Sequence, residues 1–259
     1  MKQLIRREFT NLWTPRSLMV YIGIIFIVPF VQFMTIRDRY EFFSPIEVFE
    51  ESVSTIPAML FPVLAILIFL PNILAEYRHN FLTYTRTRID LSVYLVAKGL
   101  VNAILSGIVL FSMIFMTFLF VMYVEPLFHL VEYTAVTDGV VIPTTTFSFL
   151  QEIHPMLYGF SYAVWIGVNG SLYATMAYLL ILTLDNLFVA ISIPFLAYHI
   201  LNFVAGIFQV PKFSPLSTLF PFNITAQPIW TIFVPFLLFL SIGVGIYLFH
   251  LRSRREWSF

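Results

Sequence analysis

The side chains that could do chemistry in this chain are few and lie far apart in the sequence. His199 and Asn202 are spaced to share one face of a helix, and Phe195 lies one turn before the histidine. Glu50 and Glu51 form an adjacent pair of carboxylates far upstream. A histidine in an apolar segment is explained by a hydrogen bond to a neighbouring helix or by a position along a pathway. We therefore expect His199 and Asn202 to be pathway or inter-helix polar residues, and we predict no catalytic residue.

The glutamate pair raises one enzymatic alternative. The Phe-x-x-x-His pattern at 195–199 is seen in intramembrane CAAX-type proteases, which also need two adjacent glutamates with an arginine four residues after the second. That position is Thr55 here, and we expect Glu50 and Glu51 to lie outside the membrane rather than within a helix. The protease is therefore the least favoured function.

Neither metal binding nor nucleotide binding has a recognisable motif. Imidazole and carboxylate groups between residues 125 and 157 could ligate zinc, but their spacing matches no known site. They are His129, Glu132, Asp138, Glu152 and His154. The chain also lacks the Gly-x-x-x-x-Gly-Lys-Ser/Thr loop that would hold ATP phosphates. We predict that this chain binds no metal or cofactor and is not itself an enzyme.

The elements that carry these residues are long apolar segments. Hydrophobic residues make up 59% of the chain and charged residues only 11%, against about 25% in soluble proteins. Six stretches free of Lys, Arg, Asp and Glu are long enough to cross the roughly 30 Å hydrocarbon core as helices. We place these spans at about 17–36, 54–75, 99–124, 158–184, 187–209 and 229–250. The prediction is an all-α membrane protein that forms one domain over residues 1–259.

The basic residues predict the orientation of the spans. Cytoplasmic flanks are enriched in Lys and Arg, and eleven of the fourteen basic residues fall on one side of the predicted helices. The connections 37–53, 125–157 and 210–228 then face outward and collect most of the acidic residues. With six spans, both termini face the cytoplasm. We expect a multi-pass protein of a bacterial plasma membrane.

The first sixteen residues predict an amphipathic helix at the inner membrane interface. An apolar stripe at helical spacing is flanked by basic side chains. The stripe contains Ile5, Phe9, Leu12 and Trp13, and the flanking residues are Lys2, Arg6 and Arg7. The alternative interpretation is a positively charged anchor with no further role.

Prolines interrupt several of the predicted spans. The second span contains Pro57, Pro62 and Pro71. An interior proline removes a backbone hydrogen bond, which is tolerated in a membrane where neighbouring groups bond the freed carbonyl. We predict the second span to be the part of the bundle that moves.

The connection 76–98 is much longer than a minimal turn and mixes basic with aromatic residues. Glu76 closes the second span and Lys98 opens the third, while Tyr84, Arg86 and Arg88 lie between them, the two arginines each following a threonine. This order resembles the cytoplasmic loop of type-2 ABC exporter permeases, six-helix half-transporters.

The resemblance extends to the rest of the chain and departs in two places, both early in the connection 76–98. The amphipathic N-terminal helix, six spans and Pro-rich stretch at 213–222 are similar to the family layout, in which re-entrant elements precede the last span. Asn80 and Thr83 stand where the family often has a glycine and a second acidic residue. The resemblance implies that 76–98 is a coupling loop, although these departures leave the docking residues open.

The resemblance also implies partners and a function. The chain would be the permease subunit of an ATP-driven exporter, coupled to a cytosolic ABC ATPase subunit that binds ATP and Mg. A second permease, the same chain or a paralogue, would complete the pathway as a dimer. The apolar composition favours a hydrophobic or amphipathic substrate such as a peptide, a lipid-like molecule or a drug, and no nucleic acid.

Two alternatives depend on features inside the spans. An ion-coupled secondary transporter would need carboxylates near the midplane of the membrane, and the spans contain almost no ionisable residue there. Small residues at four-residue spacing, such as Ala103 with Gly107 and Gly167 with Ser171, allow close helix contacts. We favour packing within one chain over packing between two chains for these residues.

Overall fold

The structure, a computed structural model, is helical throughout the part of the chain that it describes. It describes residues 2–73, 91–134, 145–184, 186–221 and 226–256. The exceptions within these ranges are connecting turns and one isolated β-bridge, which pairs Phe42 with Tyr133.

The helices follow one another along the chain with short connections. They are α1 (Lys2–Asn11), α2 (Pro15–Ile36), α3 (Pro45–Ser54), α4 (Ile56–Ile73), α5 (Ser92–Phe128), α6 (Ser148–Ile153), α7 (Pro155–Thr183), α8 (Leu187–Ile207), α9 (Pro215–Leu219) and α10 (Trp230–Glu256). A 3₁₀ turn at Pro211–Phe213 leads into α9.

Six of these helices, α2, α4, α5, α7, α8 and α10, are long and apolar enough to span a membrane, with 18 to 37 residues each. The protein is therefore an all-α, multi-pass membrane protein. The orientation of its termini and the placement of α1 at the membrane interface stay predictions. α5 extends beyond the predicted span 99–124 at both ends, so Lys98 lies inside the helix rather than before it.

The expectation that Glu50 and Glu51 lie outside any helix is wrong, because both belong to α3. Ser44 caps this helix by accepting a hydrogen bond from the Glu47 backbone N–H at 3.4 Å, and Pro45 occupies its first turn. A helix start needs such acceptors because its first N–H groups have no partner within the helix. The start of α3 is therefore determined by its own sequence, through the Ser44 cap and Pro45.

α3 and α4 are separated by a sharp break at Thr55, whose φ and ψ are −101° and −81°. The Gln32 side chain of α2 bonds the backbone on both sides of this break. Its Nε2 donates to the Glu51 carbonyl at 3.2 Å, and its Oε1 accepts from the Ile56 N–H at 3.4 Å. α3 is consequently a separate short helix attached to the top of α4, and we call this end of the bundle the cap end.

The centre of the bundle is the close pair of α5 and α7. A Cβ on Gly167 would lie 2.9 Å from the Gly107 carbonyl oxygen, so the two backbones are in contact. The Ser171 hydroxyl donates to the Ala103 carbonyl at 2.8 Å across the same pair. The prediction that these small residues pack within one chain is confirmed.

Two spans contain a π-helical turn, and each turn lies just before a proline. Gly23–Ile27 precedes Pro29 in α2, and Phe120–Val124 precedes Pro126 in α5. A proline has no N–H to donate and its ring crowds the carbonyl four residues earlier. The wider π turn moves that carbonyl aside, so the helix continues without a break.

The contact of α5 with α7 can be tested by filling it. We expect Gly167→Ala to lower the free energy of unfolding by about 1–3 kcal/mol, because the added methyl group overpacks against the α5 backbone. The measurement is thermal unfolding of the purified protein in detergent.

Gly245→Ala is the matched control, since a Cβ at Gly245 would meet no atom within 4 Å. It should leave stability unchanged or raise it slightly, as alanine is the better helix former. Equal melting temperatures for the two variants would contradict the packing described here.

Candidate functional site

The cap end of the bundle is organised by one face of α7. Tyr158, Tyr162 and Trp165 follow one another at spacings of four and three residues, so their side chains project from one side of the helix. The hydroxyl of Tyr158 donates to Glu50 Oε1 at 2.8 Å. That bond attaches α3 to α7, while the other two aromatic residues reach a different element.

Tyr162 and Trp165 hold α9. The Tyr162 hydroxyl donates to the Leu219 carbonyl at 3.0 Å, and the Trp165 indole N–H donates to the Thr218 carbonyl at 2.7 Å. Carbonyls in the last turn of a helix have no partner within it, and α9 is only five residues long. The two side chains therefore supply donors to the last turn of α9.

α3 is also packed against α7 through an aromatic anchor. Phe49 is fully buried, and its ring lies edge-on to Phe118 at 5.3 Å, Tyr162 at 5.9 Å and Tyr158 at 6.4 Å between centroids. Glu50 follows it directly in the chain, so a carboxyl group is brought to the edge of this aromatic cluster.

Beside α3 lies a cavity of about 460 Å³ that is lined by acidic side chains. Four carboxylates contribute to its wall: Glu41, Glu47, Glu50 and Glu51. Within the described residues, no group of three or more His, Asp or Glu side chains is arranged to hold a metal ion. We call this space the acidic cavity.

Glu50 differs from the other carboxylates of the cavity in its contacts. Its Oε1 accepts a second hydrogen bond from the Gln151 side chain at 3.4 Å, in addition to the bond from Tyr158. Burial raises the pKa of Glu50 from its ordinary value to about 7, and the negative charges of Glu47 and Glu51 act in the same direction. The two hydrogen bonds lower this pKa but are outweighed.

His199 and Asn202 make separate contacts rather than one site. His199 Nε2 lies 3.2 Å from the Met59 carbonyl of α4, which makes it an inter-helix polar residue. Asn202 Oδ1 accepts from the Leu216 N–H at 2.8 Å and so caps the start of α9. The neighbouring Tyr198 donates to the Ala58 carbonyl at 3.0 Å, the carbonyl that Pro62 leaves without its usual partner.

The opposite end of the bundle contains α1, and we call it the base end. Arg6, Arg7 and Trp13 are exposed there, while Phe9 is half-buried and packs on the core. Arg6, Arg7 and Phe9 belong to α1, which ends at Asn11, so Trp13 of the predicted helix 1–16 falls in the turn that follows. Their contact with a membrane or a partner stays a prediction.

Lys98 is buried at the base end, although the sequence suggested a loop position. Its ammonium group lies 5.7 Å from the centre of the Phe69 ring of α4 and 5.6 Å from that of Tyr94. Glu8 of α1 also acts on it electrostatically. Lys98 thus lies where α1, α4 and α5 meet. The other predicted coupling residues, Glu76, Tyr84, Arg86 and Arg88, lie outside the described residues.

Two apolar grooves run along the outside of the bundle. One, of about 470 Å³, lies between the π-helical turns of α2 and α5 and is lined by residues such as Phe26, Pro29 and Val124. The other, of about 450 Å³, lies between α5, α7 and α10 and includes Gly99 and Tyr247. Both are of a size and character suited to hydrocarbon rather than to polar ligands.

Comparisons of this chain with protein-family models, with curated proteins and with solved structures found no match.

The residues that build the cap end are not among those predicted from the sequence. A readable signal was present for α3, because Ser44 followed by Glu47 is the Ser-x-x-Glu pattern of a helix start. The polar aromatic residues of α7 also share a helical face that periodicity alone can identify. Their partners, Glu50 and the carbonyls of α9, had no signal in the sequence because they are distant from α7 along the chain.

The attachment of α9 to α7 can be tested by removing its donors. We expect Tyr162→Phe and Trp165→Phe each to lower the free energy of unfolding by about 1 kcal/mol, because each removes a hydrogen-bond donor from a carbonyl of α9. Hydrogen–deuterium exchange of residues 211–221 should also become faster.

Tyr123→Phe removes an exposed hydroxyl from the same bundle and serves as the control. It should change neither stability nor exchange. If all three variants behave alike, the cap end is not held together as described.

Proposed function

We propose that this chain is the permease subunit of an ATP-driven exporter and works with a separate cytosolic ATPase subunit and a second permease. The observation that supports this best is the meeting of α1, α4 and α5 around Lys98. In the family that the sequence resembles, force from the ATPase enters through the loop between the second and third spans. Here that loop leaves from α4 and returns to α5.

The burial of Lys98 is expected to couple the motions of the three helices that surround it. A buried ammonium group that is separated from its partners while it stays buried is strongly destabilised, so α1, α4 and α5 are expected to move as a unit at the base end. Glu8 is 8% exposed and Lys98 is 3% exposed. A push on the segment 76–98 would then be passed to α1 and to the proline-containing α4 together.

The proposed cargo is hydrophobic or amphipathic. Both grooves are apolar, and each lies between spanning helices: α2 and α5 bound one, and α5, α7 and α10 bound the other. The groove between α2 and α5 lies against π-helical turns, which occur often at functional sites. A peptide, a lipid-like molecule or a drug fits such surfaces better than an ion or a sugar does.

An ion-coupled secondary transporter is the second candidate and has less support. Within the described residues, and with the last span taken as Trp230–Phe249 of α10, the ionisable side chains other than tyrosines inside the spans are Arg16, Lys98, Glu125 and His199. Arg16, Lys98 and Glu125 lie near the ends of their helices, and His199 is bonded to the Met59 carbonyl. This leaves no chain of carboxylates through the described bundle of the kind that proton or sodium coupling uses.

The coupling role of the segment 76–98 can be tested by reversing its charge. We expect the double substitution Arg86→Glu with Arg88→Glu to weaken binding of the ATPase about tenfold or more, because misplaced charge at an interface costs several kcal/mol. The assay reconstitutes the permease in vesicles with a candidate ABC ATPase subunit. It measures binding of the ATPase, ATP hydrolysis and export of a fluorescent hydrophobic peptide.

Arg37→Glu with Arg39→Glu makes the same change of charge in the connection between α2 and α3 and is the control. It should leave binding and hydrolysis near the level of the unmodified protein. Uptake or export by the permease alone, driven by a proton or sodium gradient, would contradict the proposal and favour the secondary transporter.

A further inference from the structure

α3 is a short helix with a defined start and end. It is bounded by the cap at Ser44 and by the break at Thr55, so a change in its position need not disrupt a long helix. One of its faces carries Val48, Phe49 and Val53, which are fully buried in the core. Its polar residues Glu47, Glu50 and Glu51 line the acidic cavity.

We propose that α3 is a proton-controlled latch: protonated Glu50 holds the helix against α7, and ionised Glu50 releases it toward the acidic cavity. The proposal concerns the conformation of this chain alone, and it does not depend on the transport function proposed above.

The closed arrangement suits a neutral carboxyl group. Tyr158 and Gln151 both donate to Oε1, so a proton on Oε2 leaves both hydrogen bonds intact. A neutral acid next to the aromatic cluster also avoids the cost of burying a charge. The protonated side chain therefore joins α3 to both α6 and α7 without electrostatic strain.

Ionisation changes this balance. Within the described residues, the charged groups that act on Glu50 are Glu47 and Glu51 of its own helix, and both repel a carboxylate. Glu41 lines the same cavity from the preceding connection, and α2, α5, α6 and α7 present neutral groups, namely Gln32, Phe118, Gln151, Tyr158 and Tyr162. An ionised Glu50 gains water by turning into the acidic cavity, which lies directly beside it.

One interaction opposes release, namely the hydrogen bond from Tyr158, which becomes stronger when the acceptor is charged. It does not prevail, because burial and the two acidic neighbours together raise the pKa of Glu50 to about 7 in the closed state. A carboxyl group whose pKa is raised on closing stabilises the closed state below its open-state pKa, and this stabilisation is lost as the pH rises through the closed-state pKa. A rise from 4.5 to about 7 corresponds to a closing equilibrium up to about 300-fold weaker at high pH.

Hydrogen–deuterium exchange of the purified full-length chain in lipid nanodiscs tests the latch. Exchange of the amides in residues 44–55 is measured between about pH 5.5 and 8.5 and corrected for the intrinsic pH dependence of exchange. We expect the corrected rates to rise, by tens of fold or more, with a midpoint near pH 7. The amides of α9, which also packs on α7 but without a carboxyl group, are the internal control and should show no such rise.

Two variants separate Glu50 from its neighbours. Glu50→Gln keeps the shape and the acceptor for Tyr158 but cannot ionise, so α3 should stay protected over the whole pH range. Glu51→Gln removes a carboxylate of the same cavity and should keep the transition, with its midpoint moved to lower pH because one repelling charge is gone.

The proposal is overturned if the corrected exchange of α3 in the unmodified chain does not change with pH, or changes only below about pH 5, where an ordinary carboxyl titrates. It is equally overturned if the transition persists unchanged in Glu50→Gln. The measurement on the unmodified chain decides the matter even if that variant fails to fold.

Discussion

The structure depends on one constraint: every carbonyl that a proline or a helix break releases inside the bundle must find another donor. In hydrocarbon an unpaired carbonyl costs several kcal/mol, because no water replaces the lost partner. Tyr198 bonds the Ala58 carbonyl that Pro62 releases. Ser106 does the same for Ala65, whose usual donor, the Phe69 N–H, bonds Ile66 instead. Two of the polar side chains of these spans are therefore placed by the defects of their neighbours, whereas Asn102, Ser171 and Tyr178 bond carbonyls of regular helix.

The same constraint explains how the two short helices α3 and α9 can begin and end inside the protein at the cap end. α3 and α9 have few hydrogen bonds of their own, and α7 together with Gln32 and Asn202 supplies the partners that they lack. Glu50 is the exception in this network, because its partner Tyr158 bonds an ionisable group and not a carbonyl. A carbonyl accepts a hydrogen bond at any pH, whereas the strength of a carboxyl contact depends on its proton. This difference is the reason why the latch that we propose concerns α3 and not α9.

The sequence predicted the spanning helices because their signal is local. Long stretches without charge identify six helices, and each structural span overlaps its predicted range. The sequence also indicated where carbonyls would be released, since Pro62 stands four residues after Ala58. It could not indicate the donor, because Tyr198 is 140 residues away from Ala58. The acidic residues of the connection 37–53 predict an exposed loop, and they conceal the helical pattern of α3.

Lys98 shows why the position of a charge in the sequence does not fix its environment. As a basic residue at the edge of an apolar stretch it follows the rule for cytoplasmic flanks, and the rule predicts exposure. α5 begins before it, however, so one face of the helix turns it toward Phe69 and Tyr94 and into the influence of Glu8. A charge buried among aromatic rings and one carboxylate binds three elements together, whereas an exposed one would bind none. Lys98 and Glu50 therefore differ in their surroundings: Lys98 is 3% exposed where three helices meet, whereas Glu50 is only partly buried and lines the acidic cavity, so water is at hand when its protonation changes.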